Sequence, residues 1–344
     1  MIQKLTLKNF RNFSDRSFSF WEVNYISGFN GAGKTNILEA LSLFSEPILD
    51  IDFSLLVNKW EEVLYLEILL SDGKKVSISY DKTLKKKKYL INGKTTTKKK
   101  IKEVVPGSVA FHPLAMNLMY LWPSKRRSFL DQILANTFPN YSTVLKKYKK
   151  IVISRNRVLK NISEGKSSRS EIEFWNQSFL EASCLIYKYR EVLVAFFESR
   201  ANDFKKFFSG KVQNVTFKYI TKIDRTSTKK SIQKYLDTHL ERDILLRKTY
   251  IWPHIDDFDI LLDTTSLIGF ASRWEVKSTI IALKFLESEF YETHAKRKPI
   301  FLVDDILSEL DEIHKNMIFW NMRDSQTFIT SIKKLNQEWK IIEL

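Results

Sequence analysis

The sequence predicts an α/β fold interrupted by an all-helical second domain. Three observations carry that prediction. A glycine-rich loop sits between an apolar run and a helical run at residues 23–44. A helical pattern extends from Ser124 to about Gly210. An apolar run ending in two carboxylates then returns at residues 300–305.

The loop comes first. "VNYISGFNGAGKTNILEALSLF" begins with a short apolar strand and ends with Ile37, Leu38, Leu41 and Phe44 at helical spacing. Gly28, Gly33, Lys34 and Thr35 fit the pattern G-x-x-x-x-G-K-[ST], with Phe29, Asn30, Gly31 and Ala32 completing the loop. Such a loop bends so that successive N–H groups point at phosphates. The lysine supplies charge to the β- and γ-phosphates, and the threonine hydroxyl ligates Mg²⁺. The following helix adds its positive N-terminal end. A bound nucleoside triphosphate is the expectation.

Around this unit the first 80 residues alternate β-prone runs: "IQKLTLKNF", "RSFSFWEVNYIS", "EEVLYLEILL" and "KKVSISY". Asn92-Gly93 then predicts a hairpin. The surrounding segment, residues 81–102, holds ten lysines and one acid. It reads either as a solvated edge ribbon that discourages aggregation, or as a phosphate-contact surface through Lys85, Lys86, Lys87 and Lys88.

In the helical stretch, Trp175, Phe179, Ala182, Ile186, Tyr189, Leu193 and Phe196 recur at alternating fours and threes, a packing stripe. "SEGKSSRS", residues 163–170, turns the stretch into a helical hairpin. Strands and another helix follow before the α/β pattern resumes. Residues 1–110 and 246–344 are therefore expected to form a discontinuous head, and residues 111–245 a mainly helical insertion. The strand "IFLVDD" closes the pattern. Asp304 would hold Mg²⁺ through water, and Asp305 would orient or deprotonate the attacking water.

Composition bounds the partners. Against 56 basic residues stand 40 acidic ones, a net charge of +16. That excess favours an anionic partner, nucleic acid or a membrane surface. No apolar run is long enough to span a bilayer, and a single cysteine, Cys184, fits a reducing cytoplasm. No recognition-helix or finger motif is present, so DNA contact would be backbone electrostatics.

Six stretches in order give the chain a resemblance: "KNFRNF", "GFNGAGKTNILEA", "PSKRRSFLDQIL", "PHIDD", "ASRWEVKS" and "LVDDILSELDE". Together they resemble the RecF family, a branch of the ABC-type ATPases related to SMC and Rad50 proteins. The resemblance runs essentially end to end. It implies an ABC-type P-loop ATPase head with an inserted short coiled-coil-like helical domain, closing as an ATP-dependent homodimer. It implies binding to gapped and single-stranded DNA and to single-strand/double-strand junctions, and assistance to RecA loading with RecO and RecR. Hydrolysis would be weak, DNA-stimulated and used as a switch. Carried over by position, Arg11 and Asn12 lie near the nucleotide. Ser272 and Lys277 belong to the signature facing the other subunit's γ-phosphate. Ser308 and Asp311 belong to the dimer-contacting loop, and Thr330 is the switch position.

Other classes fit less well. A guanine-reading mimic, "TKID" at Thr221–Asp224, has no D-x-x-G partner between it and the loop. A transporter ATPase has a histidine where this chain has Thr330. An SMC- or Rad50-like clamp needs a far longer arm. A metal nuclease would use His254, Asp256 and Asp257. One departure stands out: Trp122, Trp252 and Trp274 occupy positions where the family pattern has glycine. The chain has 9 glycines, where average usage gives roughly 24. Either Trp274 impairs closure of the dimer, or the three codons are UGA read as glycine.

Overall fold

The computed structural model describes residues 1–47, 51–113, 115–120, 122–208, 210, 212–250, 253–331 and 340–344. Trp252 lies outside them. The chain divides into two compact units, Met1–Asn117 with Lys277–Leu344, and Leu118–Val276.

In chain order the first unit opens with β1 (Ile2–Phe10), β2 (Phe13–Ser19), β3 (Val23–Ser27) and α1 (Lys34–Ser42). It continues with β4 (Val63–Leu70), β5 (Lys75–Asp81), β6 (Lys86–Ile91), β7 (Lys94–Thr96), α2 (Lys98–Val104) and β8 (Ser108–Phe111). The second unit holds α3 (Pro123–Thr137), α4 (Tyr141–Ser163), α5 (Glu171–Arg200), β9 (Val215–Ile220), α6 (Thr228–Thr238) and α7 (Leu240–Leu246). Then come β10 (Asp257–Leu262), β11 (Thr265–Ser266) and a kinked turn α8 (Leu267–Phe270). Helix α9 (Arg273–Ala295) spans the boundary and returns the chain to β12 (Ile300–Asp304), α10 (Glu312–Met322), β13 (Thr327–Ser331) and β14 (Lys340–Glu343).

Two sheets build the first unit. One is a six-stranded antiparallel sheet in the order β2-β1-β4-β5-β6-β7, and the other a parallel sheet in the order β14-β3-β13-β12-β8. The alternation in "VLYLEILL" places Leu64, Leu66, Ile68 and Leu70 on the buried face of β4. They share one core with Ile37, Leu38 and Leu41 of α1 and with Ile300, Leu302 and Phe328 of the parallel strands. The run "RSFSFWEVNYIS" is two strands rather than one. Asn24 accepts from the Trp21 N–H and donates to the Trp21 carbonyl, each at 2.8 Å, which turns the chain between β2 and β3.

The parallel order places the site. β13 lies between β3 and β12, with Thr330 opposite Ile26 on one side and Asp304 on the other. The loop after β3 and the carboxylates ending β12 therefore lie on the same edge of the sheet, where ligands of α/β folds bind.

The second unit is mainly helical, with a three-stranded sheet in the order β11-β10-β9. Six residue pairs, from Asp257↔Ile220 to Leu262↔Val215, tie β10 to β9. That pairing keeps β10 with the second unit, which closes at Val276 rather than at residue 245. The 23-residue α4 and 30-residue α5 form the hairpin; of the packing stripe, Phe179, Ala182, Ile186 and Leu193 are buried, while Trp175, Tyr189 and Phe196 are half-buried. Among the described residues no helix is long and apolar enough to cross a membrane.

Candidate nucleotide-binding site

The loop after β3 is held open by its own sequence. Gly31 and Gly33 have φ of 83° and 107°, which an L side chain rarely adopts. At Gly33 a Cβ would stand 2.6 Å from the Phe13 ring and 2.7 Å from the Asn12 amide oxygen. α1 then starts with no side-chain cap and no acid in its first turn. Its first N–H groups thus remain available as anion donors.

Asn12 clamps the loop from the side. Its amide donates to the Ala32 carbonyl at 2.9 Å and accepts from the Asn36 amide at 2.8 Å. Lys34 is buried and donates from Nζ to the carbonyls of Gly28 (2.7 Å) and Phe29 (3.1 Å), so its ammonium lies along the loop. Phe29, Asn30 and Gly31 are exposed.

The start of α1 and the ends of β12 and β13 converge on one carboxylate oxygen. Thr35 donates to Asp304 Oδ1 at 2.9 Å, and Thr330 donates to the same oxygen at 2.8 Å. Thr330 Oγ1 in turn accepts the Asp305 backbone N–H at 3.0 Å. Asp305 itself has φ 49°, a left-handed backbone that aspartate and asparagine tolerate better than most side chains. Ser308 Oγ donates to the Asp305 carbonyl at 2.8 Å, which folds the next turn back on it. A hydroxyl and a carboxylate this close form a hard-oxygen donor set of the kind Mg²⁺ takes. Thr35 and Asp304 fit the ion on that ground.

Arg11 is bonded to the helix behind the loop. Its guanidinium forks onto Glu39 of α1, Nε and Nη2 each at 2.8 Å, and Nη1 reaches the Leu55 carbonyl at 3.1 Å. It braces the helix behind the loop. Asn36 and Glu39 escaped sequence reasoning, although both sit within two turns of the motif. Their roles depend on partners some 24 and 28 residues upstream.

Asp311 caps α10 by accepting the His314 N–H at 2.9 Å. The same carboxylate takes the imidazole Nδ1 at 2.8 Å, while Nε2 lies 2.8 Å from Ser278 Oγ. Ser278 and His314 are fully buried, so this serine–histidine–aspartate chain has no access for a substrate. It fastens the turn holding Asp311 to α9. Lys277 lies in the first unit; Ser272 lies in the second, where its hydroxyl donates to Glu275 at 2.6 Å.

The "PSKRR" and "PHIDD" stretches interlock inside the second unit. Arg126 Nε donates to Asp257 Oδ1 at 2.8 Å and Nη2 to Oδ2 at 2.5 Å. Asp256 accepts from Tyr219 at 2.8 Å, and burial pushes its carboxyl above the usual range. His254 Nδ1 lies 2.6 Å from the Tyr148 hydroxyl, with burial pushing the imidazole down to about 4. These groups make a polar core. Among the described residues no three His, Cys, Asp or Glu come together as a metal site. The guanine-reading mimic also dissolves, since Asp224 is spent capping a turn through Thr226 and Ser227.

Trp122 precedes α3 at φ −57° and is 80% exposed, and Trp274 meets Phe208 edge-on at 6.2 Å within the second unit. Neither backbone demands glycine.

The lysine hairpin forms as β6 and β7. Lys85, Lys86, Lys87 and Lys88 are all exposed, and Lys87 Nζ stands 3.5 Å over the Phe53 ring.

No family model matches the chain. It is 31% identical over 357 residues to the "DNA replication and repair protein RecF" of Acetivibrio thermocellus, covering 97% of this chain and 93% of that one. It is 29% identical to the protein of the same name from Ruminiclostridium cellulolyticum, again over 97% and 93%. Among solved structures, one described as the recombination mediator protein RecF-ATPrS in RecFOR pathway superposes with a TM-score of 0.90. It is 26% identical and is covered to 96% by the whole of this chain. A second, described as RecF-ATP in the same pathway, gives 0.88 at 26% identity, over 99% of this chain and 95% of that one.

Proposed function

The chain belongs to the RecF family, and from that premise we propose that it is an ATP-switched DNA-binding protein of recombinational repair and replication restart. The observation that carries the proposal is the convergence of Thr35 and Thr330 on Asp304, with the Asp305 N–H on Thr330. Four residues from the start of α1 and the ends of β12 and β13 form one bonded unit beside the loop. Whatever binds at the loop therefore acts on the carboxylates and on β13 together.

In this reading the loop N–H groups and the α1 N-terminus take the phosphates of ATP, and Lys34 turns from the loop carbonyls to the β- and γ-phosphates. Thr35 and Asp304 would hold Mg²⁺, which supplies charge neutralisation between the phosphates. Asp305 orients or deprotonates the attacking water. Thr330, bonded to both carboxylate residues, relays the state of the γ-phosphate to β13. The signature residues Ser272 and Lys277, with Ser308 and Asp311, complete the site of a second copy in an isologous dimer. The Ser278–His314–Asp311 chain keeps two of these dimer-facing segments in register.

The closed dimer clamps DNA by backbone charge, at gaps and single-strand/double-strand junctions, with Lys85 to Lys88 on phosphates. Slow hydrolysis releases it. RecO, RecR and RecA are the partners this role requires. The solved relatives, described as RecF-ATPrS and RecF-ATP, support the nucleotide assignment. The test is DNA binding with and without ATP, using the wild type and Lys34→Ala. ATP should tighten binding of the wild type alone; nucleotide-independent binding by both proteins removes the switch.

A further inference from the structure

Helix α4 (Tyr141–Ser163) contains no acidic residue in its 23 positions. It contains seven basic ones, and only Arg155 is turned inward, fully buried against Asp243 and Thr249 at 2.9 and 2.7 Å. The other six, Lys146, Lys147, Lys149, Lys150, Arg157 and Lys160, are exposed. At 100° per residue, Lys146, Lys149, Lys150, Arg157 and Lys160 fall within an arc of about 100°, and they extend about 21 Å along the helix. Among the described residues Lys160 alone of the six reaches a carboxylate, Glu164 at 3.9 Å.

Such a face is unfavourable in isolation. Lys146 repels Lys149 and Lys150, and Arg157 repels Lys160, across helical neighbour spacings. A chain that is merely lysine-rich would scatter acids among these cations, as the next helix does. α5 carries five glutamates, and two of them, Glu191 and Glu198, are bridged by Arg225. Within this helical hairpin the imbalance is confined to α4. Apart from the Lys160–Glu164 pair, no carboxylate among the described residues relieves it.

We propose that the outer face of α4 is a contact surface for duplex nucleic acid backbone, a second one, separate from the lysine hairpin of the other unit. The proposal rests on the DNA-binding reading above and names the surface. Duplex DNA carries a phosphate about every 3.4 Å of axis on each strand, so a 21 Å stripe faces about six phosphates of one strand. The face carries lysine ammoniums, one guanidinium and a single exposed aliphatic, Ile153, a charge pattern suited to phosphates. A membrane surface fits poorly. The apolar side of an interfacial helix must enter lipid, and here Tyr148, Ile151, Val158 and Leu159 are buried in the unit's own core.

The experiment is a salt titration of duplex binding by the full chain with ATP present. It compares the wild type, the triple variant Lys146→Gln, Lys150→Gln, Arg157→Gln, and a control triple in α6, Lys229→Gln, Lys230→Gln, Lys234→Gln. Losing three phosphate contacts should flatten the log–log slope by about 2.7. The control should keep the wild-type slope. Thermal melting should leave the α4 triple as stable as the wild type or more so, because the removed charges have no carboxylate partner among the described residues. An unchanged slope overturns the assignment while leaving the DNA-binding reading intact. So does equal flattening by both triples, or loss of binding to phosphatidylserine vesicles at an unchanged DNA slope. Absence of duplex binding by the wild type brings down both.

Discussion

Gly33→Ala tests whether the loop's shape, rather than its composition, makes the anion site. Two costs can be worked from the structure. The first is backbone: an alanine held at φ 107° is outside the left-handed region L residues tolerate, about 1–3 kcal/mol. The second is steric. The new methyl would stand 2.6 Å from the Phe13 ring, and Phe13 is buried and packed edge-on against Phe18 at 5.7 Å. It would also press on the Asn12 amide, which is committed to Ala32 and Asn36. Overpacking of this kind costs about 1–3 kcal/mol. The sum, about 2–6 kcal/mol, falls on the loop conformation itself and should weaken ATP binding by at least about 30-fold. Gly31→Ala is the comparison, because its φ is also positive, at 83°, while nothing lies within 4 Å of the added methyl. Titration with a fluorescent ATP analogue reads both. If Gly33→Ala binds as well as Gly31→Ala, the clash argument is wrong and the loop is pliable.

Three further outcomes are expected. His254 is held neutral by burial, with its imidazole at about 4 against an ordinary 6.5. A depressed value favours the native state above pH 6.5, and that contribution, up to about 3 kcal/mol, drains away as pH falls towards 4. Urea unfolding of the wild type should therefore weaken between pH 6.5 and 4 more steeply than that of His254→Gln; parallel curves would contradict it. Replacing Lys85, Lys86, Lys87 and Lys88 by glutamine should flatten the salt dependence of DNA binding by about 3.6 if all four touch phosphate, and an unchanged slope returns the hairpin to a solvated edge. At the gene, codons 122, 252 and 274 should be UGA and codon 175 UGG. Trp21, Trp60 and Trp320, which stand 63%, 85% and 65% exposed, belong in the same reading. UGG throughout would make these genuine tryptophans.

The loop, the strand before it and the helix behind it were legible because each follows from neighbours in sequence: glycine backbone freedom, a short apolar run, and apolar residues at helical spacing. The end of β12 was legible for the same reason, as an apolar run closed by two carboxylates. What sequence could not place is what depends on strand order. That β13 lies between β3 and β12, and so sets Thr330 on Asp304, is a product of the parallel sheet. Likewise β10 reads as the return of the α/β pattern, yet its pairing with β9 assigns it to the other unit. Arg11 adds a contact sequence could not place: a glutamate 28 residues on takes its guanidinium. The tie of His314 to Ser278 had no local signal, because Ser278 stands on α9, 36 residues upstream.

The central claim is that the bonded unit at Asp304 and the lysine of the loop make ATP a switch for dimerisation. Light scattering with Mg-ATP measures it directly on the wild type, Lys34→Ala and Asp305→Asn. Without its ammonium, Lys34→Ala loses the side-chain cation for the β- and γ-phosphates and should stay monomeric. Asp305→Asn keeps the loop and Asp304, loses the carboxylate proposed to activate water, and should persist as a dimer. Equal dimerisation of the two variants, in either direction, would contradict the account.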